Sequence, residues 1–358
     1  MPLKEPNWWY ASSPRWEARA LAPFALAFGY AAQYRHRLVS PYRARLPVIC
    51  VGNLTAGGTG KTPLSLLIAE DVRRIGRQPV FLTRGYGGHA TGPHWVDTAT
   101  DRAHDVGDEA LLLADTAPTV VARRRDKGAA EIEANPSRGD LIIMDDGLQN
   151  PQLEKDLRIA VVNGARGIGN GQVIPAGPLR APLEFQLARV DCVVVNSVVS
   201  SVMNSRGDAG DTHPDLSGTL SAKSSDCPIL QAQTRPTGDT TWLQGTRIVA
   251  FAGIAHPDRF LALIRNLGGQ VVATRIFNDH QPITEAPAQD LLALAEASDA
   301  CLLTTTKDFA RLRGSGGAAA LLAERAQCLP VKLQFDDPDL ATLRALIARA
   351  CERCASAT

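Results

Sequence analysis

Apolar residues in this chain fall into short β-prone runs, and most of them are followed by an amphipathic stretch. Val48 to Val51, Pro79 to Thr83, Pro118 to Ala122, Asp140 to Asp145 and Arg158 to Asn163 read as strands. Leu64, Leu66, Leu67, Ile68 and Val72 keep helical spacing behind the first, and Ala110 to Leu113 do so behind Asp108 and Glu109. A second series opens later: strand Arg247–Gly253, helix Pro257–Leu267, strand Val271–Phe277, helix Glu285–Glu296, strand Ala300–Thr305, a helix from Thr306, and a final strand Val331–Phe335. Strand–helix alternation of this kind predicts an α/β protein with largely parallel sheets. Between the two series, residues 200–227 turn to Ser, Gly, Asp and Thr, the composition of an insertion with little order. The expected division is therefore 1–45, 46–188 and 189–350, the last containing the insertion.

The first 45 residues follow neither pattern. Trp8, Trp9, Tyr10 and Trp16 precede an apolar run from Ala20 to Ala32, with Arg15 and Arg19 before it and Arg35, Arg37, Arg43 and Arg45 after it. Interrupted by Pro23 and Gly29, this run falls short of the roughly twenty residues that span a bilayer. Aromatic and arginine anchors about a short apolar helix instead predict a segment lying in the membrane interface.

Composition narrows the class. A length of 358 residues suits two domains, and a formal net charge of +1 argues against a nucleic-acid binder relying on bulk positive charge. Seven scattered cysteines suit a reducing compartment better than a disulfide framework. Cys351 and Cys354 form a C-x-x-C without a second pair and read as a frayed helical tail.

Candidate chemistry concentrates at the first strand. Beyond Val51 come Gly57, Gly58, Gly60, Lys61 and Thr62, and then a helix. Strand, glycine turn, Lys-Thr and helix is the layout of a P-loop, in which consecutive backbone N–H groups face one anion. Lys61 would reach the β- and γ-phosphates and the Thr62 hydroxyl would sit on Mg²⁺. Thr55 stands where the general pattern has glycine; Thr55, Ala56, Gly57, Gly58, Thr59, Gly60, Lys61 and Thr62 form the expected ATP-binding stretch. Asp140 to Asp146 is an apolar strand ending in two carboxylates, the arrangement that holds Mg²⁺ opposite a P-loop. Asp145 and Asp146, with Glu109, are the candidate metal carboxylates. Together these features predict a P-loop NTPase-type three-layer α/β/α domain, a smaller second α/β domain, and an N-terminal interfacial helix. Arg84-Gly-Tyr86-Gly-Gly follows another strand, and Pro175-Ala-Gly-Pro-Leu-Arg180 lies in a glycine- and proline-rich connection carrying an arginine. Asp108 and Glu109 by themselves suit either a site or a first helical turn, where acidic residues are favoured. His256 and His280 follow strands, where site residues collect.

GNLTAGGTGKTP, TRGYGG, VGDE, DDGLQ, NG-x-R-G-x-GNG with PAGPLR-x-P, FAGIAHP-x-RF, F-x-DH and T-x-KD occur in the order seen in tetraacyldisaccharide 4′-kinases. From about residue 8 to 340 the chain resembles that family of lipid A biosynthesis enzymes. The resemblance implies ATP-dependent phosphorylation of the 4′-hydroxyl of a lipid A disaccharide 1-phosphate at the cytoplasmic face of the bacterial inner membrane. It implies Asp108 as general base with His280 as its partner, and makes Arg180 a candidate phosphate contact. No nucleic acid and no obligate protein partner is expected. Asn150 and Gln281 stand where the family commonly has histidine. The rival class is a membrane-associated P-loop ATPase switch of the partition or targeting type, which has no need of the second α/β unit bearing Asp279 and His280.

Overall fold

The computed structural model describes residues 5–355 apart from 12, 14, 199–215, 217, 219, 221–226 and 280. Most of the expected insertion at 200–227, and His280, therefore lie outside the described residues.

Early strands of the chain are β1 (Val48–Asn53), β2 (Pro79–Thr83), β3 (His94–Trp95), β4 (Thr119–Val121), β5 (Leu141–Asp145), β6 (Leu157–Asn163), β7 (Cys192–Val198) and β8 (Ile229–Pro236). The later ones are β9 (Arg247–Ala252), β10 (Gln270–Ile276), β11 (Cys301–Thr305), β12 (Gln327–Leu329) and β13 (Val331–Phe335). Among the described residues they make a nine-stranded sheet, ordered β13-β8-β7-β6-β1-β5-β2-β4-β3, and a four-stranded sheet, ordered β10-β9-β11-β12. The large sheet is parallel except at its ends, where β13 runs against β8 and β3 against β4.

Why β1 lies at the centre follows from its residues. All six are buried. Ile49 and Val51 join Leu64 and Ile68 of helix α2 (Lys61–Arg74) on one face; Val48 and Cys50 join Val80, Leu82, Ala129 and Ile132 on the other. Side chains alternate across a strand, so a run apolar at every position needs cover on both sides. Helices on both faces supply it, giving the expected three layers.

The boundary expected at 188/189 does not coincide with the division between sheets. β7 and β8 extend the large sheet in parallel beyond β6, and β13 returns to its edge. The C-terminal helix Asp337–Ala355 packs Leu343, Ile347 and Cys351 into the same core as Ile49 and Ile68. The smaller sheet is thus an excursion between β8 and β13. Its all-parallel strands and apolar runs are as complete as a free domain's, so strand spacing alone does not reveal that the chain comes back. Cys351 is buried rather than frayed.

Helix α1 (Trp16–Leu38) runs through both Pro23 and Gly29. It docks by its small residues: Ala18, Ala25 and Gly29 are buried, and a Cβ on Gly29 would lie 3.3 Å from Pro182 Cγ. Several of its large apolar residues remain exposed. Trp16, Phe24, Leu26, Tyr30 and Leu38 are each at least 66% exposed. No described helix is long and apolar enough to cross a membrane.

Candidate active site

The strand order reverses about β1, which has β5 on one side and β6 on the other. In open α/β sheets such a switch point opens a crevice at the carboxyl ends of the strands. The glycine turn after β1 sits there. Gly57 and Gly60 adopt left-handed φ values of 88° and 97°, and a Cβ on Gly60 would lie 2.3 Å from Asn196 Nδ2. The loop is held from below by asparagines at or near the ends of two apolar strands, β1 and β7. Asn53 Nδ2 donates to the Gly57 carbonyl at 2.8 Å, Thr59 Oγ1 donates to Asn53 Oδ1, and Asn196 Nδ2 donates to the Thr59 carbonyl at 2.8 Å. Asn163, in register with Asn196, ends β6 between them and accepts from the Ala165 and Arg166 N–H groups instead. At its start the loop is tied to the 175–180 connection: Ala56 N–H donates to the Pro178 carbonyl at 2.8 Å and Arg180 N–H to the Leu54 carbonyl at 2.9 Å. The Ala56 N–H is therefore occupied within the chain; the stretch from Gly57 to Thr62 leads into the first turn of α2, where backbone N–H groups and the helix dipole favour an anion.

The carboxylates at the end of β5 differ sharply. Val51 and Asp145 are in register, so Asp145 ends its strand beside the cradle. Its Oδ1 accepts from Ser65 at 2.8 Å; its Oδ2 is buried with no hydrogen-bond partner. Burial first, then the charge of Glu109, pushes Asp145 above the usual carboxylate range. Asp146 has the opposite environment. Lys61 Nζ lies 3.1 Å from its Oδ2 and Arg180 donates to its Oδ1 at 2.7 Å. Against the cost of burial, these two cations hold Asp146 well below the usual range. Arg180 also reaches Gln149 Oε1 at 3.3 Å. The side chain expected on a phosphate is engaged with the second aspartate.

Asp108 opens the helix Asp108–Ala114 and is buried. TRGYGG builds the platform beneath it, because a Cβ on Gly88 would lie 2.6 Å from Gly107 N and one on Gly107 would lie 2.5 Å from the Tyr86 carbonyl. Backbone meets backbone there, which explains those glycines. From the other lobe, helix Thr306–Leu312 packs against this element. Its Arg311, with a side chain 4% exposed, donates from Nε to Asp108 Oδ2 at 2.6 Å. The same guanidinium donates to Asp308 Oδ1 at 2.6 Å and to the Gly253 carbonyl at 2.8 Å. One turn earlier, Lys307 lies 3.3 Å from both Glu109 and Asp279. Asp279 is 3.6 Å from Arg311, so the loop that leads to His280 borders Asp108.

A family model described as tetraacyldisaccharide-1-P 4′-kinase matches residues 17–350. The chain belongs to that family. A tetraacyldisaccharide 4′-kinase of Allorhizobium ampelinum is 43% identical over 346 residues, covering 94% of this chain and 95% of its own. One from a Bradyrhizobium species (strain ORS 278) is 42% identical over 349 residues, covering 97% and 98%. A crystal structure of LpxK from Aquifex aeolicus in complex with ATP shares the fold at a TM-score of 0.70 and 22% identity, covering 93% of this chain and 99% of that one. The activity is that of a tetraacyldisaccharide 4′-kinase, a phosphotransferase of lipid A biosynthesis, and the ATPase-switch alternative is not favoured.

Within this family member the expected residues form two groups, the cradle with Lys61, Thr62, Asp145, Asp146 and Arg180, and the lobe boundary with Asp108 and Glu109. Among the described residues no group of three His, Cys, Asp or Glu side chains converges as a metal cage. Sequence reasoning passed over Asn53, Ser65, Asn196, Lys307 and Arg311. For the asparagines a signal existed, since a polar residue at or near the end of each of several apolar strands marks the same sheet edge. For Arg311 only its i,i+4 spacing from Lys307 of T-x-KD was available.

Proposed function

We propose that the chain transfers the γ-phosphoryl group of ATP to the 4′-hydroxyl of a lipid A disaccharide 1-phosphate, with Mg²⁺ as cofactor, while bound at the cytoplasmic face of the inner membrane. The observation that carries this reading is the alignment of Asp145 with the P-loop strand, one of its oxygens still open, in a chain of this kinase family. A buried carboxylate oxygen lacking a donor suits a cation. Mg²⁺ is commonly held by one or two protein groups plus phosphate oxygens, so the missing three-residue cage is no obstacle. Asp145 and Thr62 are the residues that would hold it. Glu109 and Asp146 are already facing lysine or arginine and come second. The ion would neutralise charge on the phosphates.

Lys61 is poised to exchange Asp146 for a phosphate oxygen, and backbone N–H groups from Gly57 to Thr62 cradle the donor. Asp108 accepts the proton of the 4′-hydroxyl as its oxygen bonds to phosphorus and the bond to the ADP oxygen breaks. His280 is the proposed partner of Asp108, and the 3.6 Å approach of Asp279 to Arg311 supports that neighbourhood. The outward apolar residues of α1 support an acceptor met at a lipid surface. Behind that helix, a cavity of 270 Å³ between Phe28, Ala32, Leu148 and Phe185, edged by Arg35, Arg180 and Arg189, gives an apolar chain and an anionic headgroup compatible walls.

The test is direct. Protein, ATP, Mg²⁺ and lipid A disaccharide 1-phosphate in mixed micelles should yield a lipid with one added phosphate, absent without Mg²⁺. Free phosphate with unchanged lipid would favour the ATPase switch instead.

A further inference from the structure

The phosphate cradle carries an acidic residue on its outer side. Upstream of α1 the chain crosses the P-loop and brings Glu5 against Gly57; a Cβ built on Gly57 would lie 1.9 Å from Glu5 Oε1. One oxygen of this carboxylate is well held. Oε2 accepts from the Tyr10 hydroxyl at 2.8 Å and from Arg166 Nη1 at 2.9 Å. The other, Oε1, is buried with no hydrogen-bond partner. Such an oxygen is costly to keep unless something else holds the residue in place. The segment is indeed anchored: Trp9 is buried, its indole donates to the Pro175 carbonyl at 3.2 Å, and Asn170 N–H donates to the Trp9 carbonyl at 2.7 Å. The Arg166 guanidinium also stacks on the Tyr10 ring at 4.6 Å.

The surroundings are cationic. Arg166 follows β6. Arg259, on helix Pro257–Asn266 of the smaller lobe, donates to Asn163 Oδ1 at the end of β6. The same lobe reaches the P-loop directly, since Ala255 Cβ lies 3.4 Å from a Cβ built on Gly58. Arg166 and Arg259 meet at one atom, since the Arg166 backbone N–H donates at 3.2 Å to the same Asn163 Oδ1 that accepts from Arg259. Asn163 Nδ2 is buried beside them with no acceptor. Two guanidiniums and an unused buried amide donor gather beside the Glu5 carboxylate, which pairs with Arg166. That combination fits an anion carrying more oxygens than a carboxylate has.

We propose that Arg166, Arg259 and Asn163 form a phosphate-binding pocket on the outer side of the P-loop, and that Glu5 is an intramolecular occupant which a nucleotide phosphate displaces. The proposal rests on the reading of the cradle as a nucleotide site and adds residues from both lobes to it. Nucleotide binding then includes withdrawal of Glu5, so the apparent affinity is reduced by the fraction of molecules in which the pocket is filled.

Calorimetric titration of the full chain with a non-hydrolysable ATP analogue and Mg²⁺ tests it. Glu5→Gln keeps the shape and removes the charge, and should tighten binding by about 3- to 10-fold. Arg259→Met should weaken it by about 10-fold or more. In an Arg166→Met background, Glu5→Gln should no longer tighten binding, because the occupant has lost the cation that holds it. Unchanged or weaker binding by Glu5→Gln, in a protein whose melting temperature is preserved, overturns the proposal. If Arg166→Met does not fold, the single Glu5→Gln titration decides. Lys61→Ala separates the two readings: if it binds the analogue like the parent, the cradle assignment itself fails, whereas a weakened Lys61→Ala beside an unchanged Glu5→Gln removes only the Glu5 pocket.

Discussion

The cradle and the lobe boundary are built on opposite principles. At the cradle the charge of Asp146 is compensated within one lobe, by Lys61 and Arg180, while Asp145 accepts a neutral hydrogen bond from Ser65 of the same lobe. At the boundary, Asp108 is compensated from the other lobe by Arg311, 203 positions away in sequence. The ion pairs of Asp146 therefore lie within one lobe, while that of Asp108 spans two. On the proposed roles, phosphate binding at the cradle and proton acceptance at Asp108 are separable, and variants should separate them.

The largest effect is expected at the cradle. Lys61→Ala leaves the core untouched, because the side chain reaches Asp146 at the sheet edge and belongs to none of the hydrophobic cores. It removes several kcal/mol of transition-state stabilisation, about a thousandfold or more in rate. Kinase assays together with thermal melting check this; a folded Lys61→Ala protein with near-parental turnover would break the P-loop assignment.

Asp108→Asn comes next and sharpens the contrast. Loss of the proposed general base should lower kcat by about 10²- to 10⁴-fold. Because the cradle is complete without Asp108, the dissociation constant for an ATP analogue should stay within about twofold of the parent's. A parallel loss of analogue binding would show that the two regions act as one.

These contrasts also explain how far the sequence could be read. GGTGKT and the Asp145 strand were legible because each consists of contiguous residues whose local pattern matches its chemistry. Fold class was legible for the same reason, through apolar runs alternating with helical spacing. The return of Val331–Phe335 to the first sheet was not, since a β-strand's pattern records that it is buried and not which neighbour it pairs with. Nor was the contact between Arg311 and Asp108, which exists only once two lobes have closed on each other. Arg180 shows the intermediate case: its place near the phosphate end of the sheet followed from the motif, but its partner, Asp146, did not.

Arg311→Ala tests the boundary from its other side. It leaves Asp108 and Asp308, both buried, without their shared cation. Removing one partner of a buried ion pair costs about 3–5 kcal/mol. Arg311→Lys should recover part of that, because an ammonium supplies the charge without the planar fork that now spans Asp108, Asp308 and the Gly253 carbonyl. Chemical denaturation of the three proteins orders them parent, lysine, alanine; equal stabilities would mean that the lobes do not depend on this contact.

The smallest effect separates both regions from the helix that carries the membrane reading. In α1 the docked face is made of Ala18, Ala25 and Gly29, whereas Phe24 and Leu26 project into solvent at 66% and 75% exposure. Deleting the whole N-terminal segment would confound the result, because Glu5 and Trp9 contact the P-loop and the 170–175 connection. Phe24→Ser with Leu26→Ser changes two mostly exposed side chains and leaves the buried Ala18, Ala25 and Gly29 in place. Each buried CH₂ contributes about 0.8 kcal/mol, so even partial immersion of both side chains makes a difference of about tenfold or more in partitioning to anionic vesicles. Binding of the ATP analogue should not change, since neither residue approaches the cradle. The apparent KM for micellar lipid should rise while kcat at saturating lipid holds. Vesicle sedimentation gives the first measurement and steady-state kinetics the second; parental partitioning by the double variant would mean that the exposed aromatic and aliphatic face of α1 serves something other than a lipid surface.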